Sequence, residues 1–570
     1  MNTPFFLIRQ FSTKGTQILK VRAADIWRRS STAALGTAAA LVAIAIFALL
    51  RTRAYDDVLI DDAFITFRHA ANILAGHGFT CNPGERVEGT SSMLFTFLML
   101  IPMRLGWPPL EVARTIGALA FVGCTIVAYF GVTSVHRDNW SRLTGLGAAL
   151  WVASSSILAF HSQTGMETLL YTLFITLGLV LSFRPLTHDR PAAGWAIAMG
   201  LAALCRPEGF AFFLALFALR IPFRILSTGW ATKKTWRAVG FELACFGVVF
   251  LPFEIFRFFY FGELLPNSVV AKSGAMDAIG NWWWRAHLVL PTSRVGRSLI
   301  AFIQDNPMTG FVLGALLLPR ARYAGMACMT IFAGAAAVYI WNGGDWMPHY
   351  RLVAPAIPAL AIGVAIGIRG FLFQPDQASG KWHVTSTVFA AAILLMGIRA
   401  SFQPLVPDKE PVVLAQMQKL MAELRAHRQP NDNVASDIAG TLPYYWGIPA
   451  IDACGLCNRH IARHGKRILN GIGKTDWGYL AGQTPIFYAL NFPEGAVALY
   501  ASREFAPLRD KYYMLRLPPP YHDYPISPPT ILVRKDRPAV EQLARDLGAT
   551  LVDPGEELRR TGFLRPHHIR

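Results

Sequence analysis

Apolar residues fall in runs separated by short polar loops over roughly the first 400 residues, and polar character dominates only after Arg399. The runs at about 32–50, 110–134, 143–161, 165–183, 191–205, 208–226, 238–260, 299–318, 322–341, 352–370 and 384–400 predict about eleven transmembrane helices. The run at 92–105 is different. At 1.5 Å per residue it reaches only about 20 Å, short of the roughly 30 Å hydrocarbon core. It predicts an interfacial or re-entrant helix.

That choice sets the sidedness. It gathers Arg137 and Arg142, Arg184 and Arg190, the cations from Arg224 to Arg237, Arg320 and Arg322, and Arg369 and Lys381 on the N-terminal side. Positive loops stay in the cytoplasm, so the N-terminus is expected inside. The run at 32–50 is expected to be an uncleaved first span, because six basic residues precede it and it starts late. Five other polar patches then share the outer face with the stretch 56–92. They are His161 to Glu167, Arg206-Pro207-Glu208-Gly209, Gly262 to Asn267, Lys272, and Asn342 to Arg351. Each alone has a structural reading, as a turn, a local ion pair or a headgroup contact. Their common side is what points to a site.

The stretch 56–92 is the densest in charge. Phe64, Phe67, Ala71 and Leu74 repeat at helical spacing, with Arg68, His69 and Asn72 between them, and Gly76 or Gly78 ends the pattern. This predicts a short amphipathic helix of the kind that lies on a membrane surface. Asp61 and Asp62 sit at its N-terminus, where an acidic cap is also expected on structural grounds. Arg68, Glu85, Arg86 and Glu88 lie close in sequence at the same lipid boundary, which favours a site.

Composition agrees with a polytopic membrane protein. The chain is 53% hydrophobic and 16% charged, against about 25% charged in soluble domains. The net charge of +18 sits largely in short loops, so it marks topology rather than nucleic-acid binding. The seven cysteines are scattered and show no disulfide framework.

After about residue 401 the pattern predicts a small α/β domain on the outer side. Val413 to Leu424 reads as an amphipathic helix, and strands are expected at 433–437, 449–452 and 485–489. No nucleotide-binding glycine loop is present in it. Cys454 and Cys457, with His460 and His464 nearby, are too closely spaced for a usual zinc finger. A disulfide or two buried thiols is expected, and no metal is assigned.

These segments together carry a resemblance. Leu59 to Arg68, Asn82-Pro83-Gly84-Glu85-Arg86-Val87-Glu88-Gly89-Thr90-Ser91, Arg206-Pro207-Glu208-Gly209 and Gly343-Gly344-Asp345 resemble the bacterial GT-C membrane glycosyltransferases. The nearest likeness is to the mycobacterial terminal β-(1→2) arabinofuranosyltransferase family. Tyr260 to Asn267 and Ile451 to Leu456 look like further pieces of the pattern, which covers about residues 33–480. The resemblance implies a polyprenyl-phosphate-sugar donor, inverting transfer on the outer face of a bacterial inner membrane, and a catalytic Asp in the first external loop. It also implies a glycan, glycolipid or protein acceptor. The chain departs from the pattern at Cys454 and Cys457, where relatives usually lack thiols.

The expected organisation is a cytoplasmic segment 1–31, a GT-C transmembrane domain 32–400 with an external catalytic loop 51–109, and an extracytoplasmic α/β domain 401–570. A sugar hydroxyl needs a carboxylate to take its proton as it attacks. Asp61 is the first candidate and Asp62 the second. Arg206, Lys272, His349 and Arg351 are candidates to stabilise a leaving phosphate. Arg68, Glu85, Arg86, Glu88, Glu167, Glu208 and Asp345 complete the expected donor-binding set. No cofactor is required, although a divalent cation beside the Asp pair and the phosphate is compatible with the residues. The alternatives are a GT-C transferase using another lipid-linked sugar and a flippase of polyprenyl-linked sugars. The flippase would want inverted repeats and broken helices near the bilayer midplane; no internal repeat is visible, and the polar residues gather at one face.

Overall fold

The computed structural model describes residues 34–183, 192–228, 232–272, most of 321–372 and most of 432–560. Helices stand on every run read as a span except 299–318 and 384–400, which lie largely outside the described residues. They are α1 (Ala34–Tyr55), α4 (Pro109–Val135), α5 (Asn139–Ser154), α6 (Ser156–Gln163), α7 (Thr168–Ser182), α8 (Ala193–Cys205), α9 (Glu208–Thr228), α10 (Lys233–Phe261), α12 (Arg322–Trp341) and α13 (Ala356–Leu372). Between them lie α2 (Asp61–Leu74), α3 (Met93–Arg104) and α11 (Asn267–Lys272). Among the described residues, five helices are long and apolar enough to cross a membrane, or up to six counting the bent pair α5–α6. α7, α8 and α13 are shorter apolar helices at expected spans.

The run at 143–161 is not one straight helix. It bends by 52° at Ser155, whose hydroxyl accepts the Leu158 N–H and restarts the helix as α6. A serine that offers the backbone an alternative partner is a recognised cause of such a break. α4 packs on α5 and α7, α8 on α7 and α10, and α13 on α5 and α12. Arg224, expected in a cytoplasmic loop, lies instead on α9. It shares the buried Glu242 carboxylate with Arg220, at 2.6 and 3.0 Å. The Arg220 guanidinium also rests 4.9 Å from the Trp195 ring centre, so this buried charge is paired on several sides.

α2 forms where the periodicity predicts it. Its buried set includes Arg68, His69 and Asn72 as well as Phe64 and Phe67, so the polar face expected at the lipid surface is covered by protein. α3 keeps Leu98 and Ile101 exposed, as an interfacial helix does.

The polar C-terminal region holds a six-stranded mixed sheet. Its strands are β1 (Val434–Ser436), β2 (Ala450–Asp452), β5 (Phe487–Leu490), β6 (Tyr512–Arg516), β7 (Thr530–Arg534) and β8 (Thr550–Val552), in the order β2-β1-β5-β7-β6-β8. β3 (Lys466–Leu469) and β4 (Gly473–Thr475) form a separate antiparallel pair. β1 pairs in parallel with β2 and β5, and the remaining pairs are antiparallel. The three segments read as strands correspond to β1, β2 and β5. The helix expected at 413–424 lies largely outside the described residues.

This region is bonded tightly to the helical part. Asn82 donates to Ala450 O at 2.9 Å and accepts the Ala450 N–H at 3.2 Å, satisfying the backbone of edge strand β2. Asn267 donates to Gly455 O and Leu456 O at 2.8 and 2.9 Å. Cys81 and Cys457 form a disulfide across 376 residues, and Cys454 is a buried free thiol. The expectation of a bond or two thiols within Cys454-x-x-Cys457 is corrected accordingly: the partner of Cys457 comes from the first loop.

Candidate active site

α8 ends at Arg206 because Pro207 follows. A residue before proline is driven out of the helical region, and Arg206 has φ −151° and ψ 136°. α9 then starts at Glu208. A Cβ at Gly209 would lie 2.5 Å from the Ala203 nitrogen, so only glycine lets the two helices approach this closely. The turn aims Arg206 at Glu167 (2.8 Å) and Glu208 (3.1 Å).

Arg351 is placed by a second irregularity. His349 and Tyr350 both have positive φ, 63° and 54°, a conformation that costs non-glycine residues about 1–3 kcal/mol and clusters at functional sites. Arg351 grips Asp345 with two bonds of 2.9 Å and lies 3.7 Å from Asp62. Lys272, at the end of α11, reaches Asp62 at 3.1 Å.

These groups line one cavity of about 600 Å³. Asp62, Glu167, Arg206, Glu208, Lys272, Asp345 and Arg351 form its charged end. Its apolar arm runs between α9 and α12, along Ala211, Phe212 and Ala215 on one side and Gly334, Ala337 and Val338 on the other. Thr66, Gly89, Thr90 and Ser91 form a third wall, with Thr66 and Thr90 hydroxyls 3.1 Å apart. These uncharged residues were missed from sequence. The signal was present in Gly89-Thr90-Ser91, which belongs to a recognised segment but carries no charge.

The remaining expected site residues stand outside this lining. Asp61 caps another helix, α14 (Thr441–Trp446): its carboxylate accepts from Gly440 N–H (3.0 Å), Thr441 N–H (2.7 Å) and the Thr441 hydroxyl (2.6 Å). The N-cap of α2 itself is Ile60. Arg68 donates to Cys81 O at 2.9 Å and to Pro443 O. Glu85 is exposed and accepts from Asn82 at 3.2 Å. Arg86 rests 5.0 Å from the Tyr260 ring centre. Glu88 is buried against Arg257 at 2.7 Å. His349 sets its ring edge-on to Phe160 at 4.6 Å, and its carbonyl accepts from His161.

The two aspartates differ in electrostatics. Burial pushes the Asp61 carboxyl up to about 6, against the pull of its Thr441 and Gly440 donors. Burial acts in the same direction on Asp62, but Lys272 and Arg351 outweigh it and hold that carboxyl below the ordinary value. Asp62 is therefore ionised at neutral pH. Among the described residues no group of three or more His, Cys, Asp or Glu side chains is arranged to hold a metal ion.

A bundle of this kind, with irregular loops and a terminal α/β region around one charged cavity, has the fold of the GT-C membrane glycosyltransferases. The crystal structure of ArnT from Cupriavidus metallidurans bound to undecaprenyl phosphate is similar to it, with a TM-score of 0.50 and 13% identity, over 87% of this chain and 98% of that one. In sequence, the chain is similar to the terminal beta-(1->2)-arabinofuranosyltransferase of Mycobacterium tuberculosis, 25% identical over 368 residues, 57% of this chain and 55% of the relative. The protein of the same name from Corynebacterium glutamicum is 24% identical over 344 residues, 55% of this chain and 49% of the relative. The chain thus spans about half the length of the curated relatives it matches. Residues 412–522 match a family model described as a domain of unknown function, DUF8728. The resemblance read from the sequence is borne out by these relatives.

Proposed function

We propose that the chain is an inverting glycosyltransferase that moves a sugar, an arabinofuranose, from a polyprenyl-phosphate donor to a cell-envelope glycan, glycolipid or protein on the outer face of the bacterial inner membrane. One observation carries the reading: a cavity with Arg206, Lys272 and Arg351 held among four carboxylates, Asp62, Glu167, Glu208 and Asp345, at one end and an apolar arm between two membrane helices at the other. That combination suits a lipid phosphate bearing a sugar. The arabinofuranosyltransferase relatives support the pentose, and the undecaprenyl phosphate bound to ArnT supports the lipid carrier.

Asp62 is the proposed base, in preference to Asp61, because Asp62 lines the cavity. The acceptor hydroxyl attacks the anomeric carbon from the face opposite the phosphate. Its proton passes to the Asp62 carboxylate, the new C–O bond forms, and the old C–O bond breaks with its electron pair on the phosphate. Lys272, Arg351 and Arg206 are the cations that would stabilise the departing charge.

The direct test supplies the purified chain with a synthetic polyprenyl-phosphoryl arabinofuranose and an arabinan acceptor, and reads the new linkage by NMR. A product of the anomeric configuration opposite to the donor's is expected. No transfer from this donor, with transfer from a hexose or aminoarabinose donor, would replace the sugar. No transfer from any lipid-linked donor would remove the enzymatic reading.

A further inference from the structure

The disulfide lies directly behind one wall of the cavity. Gly89, which lines the cavity, has no room for a Cβ because the Cys457 and Cys81 sulfurs occupy that space. Leu456, the neighbour of Cys457, lines the same cavity. Its carbonyl and that of Gly455 are held by Asn267, the first residue of α11, the helix that ends in Lys272. The Asn267 N–H in turn donates to Glu88 O at 3.0 Å, one residue before Gly89. The S–S bond, the wall 89–91 and the helix that carries the Asp62 partner are thus one connected unit.

Both ends of the bond are anchored. Cys81 O accepts from Arg68 (2.9 Å) and Asn72 (2.8 Å) on α2. The Cys457 N–H donates to Asp452 at 2.6 Å, on β2. His69 completes the clamp: its Nδ1 lies 2.8 Å from Ile65 O, and its Nε2 accepts the Gly89 N–H at 3.2 Å. A proton on Nδ1 satisfies both of these bonds, and Val87 O lies 3.4 Å from Nε2. Burial lowers this imidazole to about 4.

We propose that the Cys81–Cys457 disulfide is a positioning element of the donor cavity, holding the wall 89–91 and Lys272 in register with Asp62 so that the α/β region forms part of the donor site. This rests on the reading of the cavity as a lipid-phosphate site. A wall fixed in advance saves the ordering cost that a loose one incurs at each binding event. The bond therefore acts on affinity, beyond any general gain in stability.

The probe is undecaprenyl phosphate, and the readout is its Kd for the full-length protein in detergent. A trialkylphosphine plus one water converts the S–S bond to two thiols and leaves the phosphine oxide; alkylation and mass spectrometry confirm which cysteines open. The other five cysteines are free thiols and do not change. Opening the bond should weaken Kd by about tenfold or more, and reoxidation with oxidised glutathione should restore it. The Cys81→Ala/Cys457→Ala double variant should show the weak Kd and no response to either reagent. A purely structural tie would lower the melting temperature and leave Kd within twofold below melting, which overturns the proposal. Finding Cys81 and Cys457 as free thiols in protein isolated from the cell envelope overturns it as well. Should the reduced or mutant protein lose its fold, Gly89→Ala with the bond intact must weaken Kd, since it displaces the wall from the disulfide; an unchanged Kd there sinks the idea. Absence of binding by the oxidised protein removes the donor-site reading, and this proposal with it.

Discussion

Lys272 Nζ lies 3.1 Å from Asp62 Oδ2, although 210 residues separate them. The contact ties the end of α11 to the start of α2 at the charged end of the cavity. It also separates two neighbouring aspartates that look alike in sequence: Asp62 meets cations, and Asp61 meets the backbone of another helix.

The first prediction follows from that division. Asp62→Asn keeps the shape but cannot take a proton, so transfer should fall by about 10²–10⁴-fold with undecaprenyl phosphate still bound. Asp61→Asn should lower the melting temperature, because its amide nitrogen replaces one accepting oxygen and faces the Gly440 N–H while the other oxygen still accepts from Thr441, and transfer by the folded fraction should stay within about tenfold. The reverse ranking would return the base to Asp61.

The cations should divide in the same way. Arg351→Ala removes a group beside Asp62 and should reduce turnover by about 10²–10³-fold, comparable to loss of an oxyanion donor. Arg86→Ala, an exposed side chain over the half-buried Tyr260 ring, should change turnover by less than about twofold. Equal effects of the two substitutions would place the phosphate elsewhere.

A pH dependence follows from Asp61. Its folded value of about 6 lies above the ordinary 3.8, so the folded state binds the proton more tightly. The resulting stability is complete below pH 4 and is lost as pH rises through 6, on the order of 2–3 kcal/mol at about 1.4 kcal/mol per pH unit. Melting temperatures at pH 5 and pH 7 should therefore fall more in the wild type than in Asp61→Asn. Identical slopes would show that Asp61 is not the titrating group.

Glu88 should act on stability. Glu88→Ala leaves buried Arg257 with Glu254 as its remaining carboxylate and should cost about 1–3 kcal/mol, whereas adding Arg257→Met should recover most of it. Chemical denaturation of the three proteins tests this. A double variant as unstable as the single one would mean that the pair does more than neutralise itself.

The helical architecture was legible because lipid imposes long apolar runs, and Arg206, Glu208, Asp345 and Arg351 were legible because charge is rare beside a membrane span. What stayed hidden has a common cause. Arg68, Glu88 and Asp61 are charged at the same boundary, yet their partners Pro443, Arg257 and Thr441 lie 375, 169 and 380 residues away. Local periodicity carries no information on such distances. The same holds for Cys457, whose near neighbour Cys454 was the obvious partner in sequence. The 52° break at Ser155 was masked for another reason: the residues around it remain apolar enough to read as one run.

The Asp61 cap has a consequence for biosynthesis. The ribosome makes Asp61 first and Thr441 380 residues later, a delay of about 20–75 seconds at 5–20 residues per second. Throughout that interval α2 lacks the partner that buries its polar face. A chain arrested before residue 440 would carry every cavity cation identified here and Asp62, yet lack the cap, the sheet edge for Asn82 and the thiol for Cys81. Competence therefore arrives late and all at once, when the last region folds back onto the first loop.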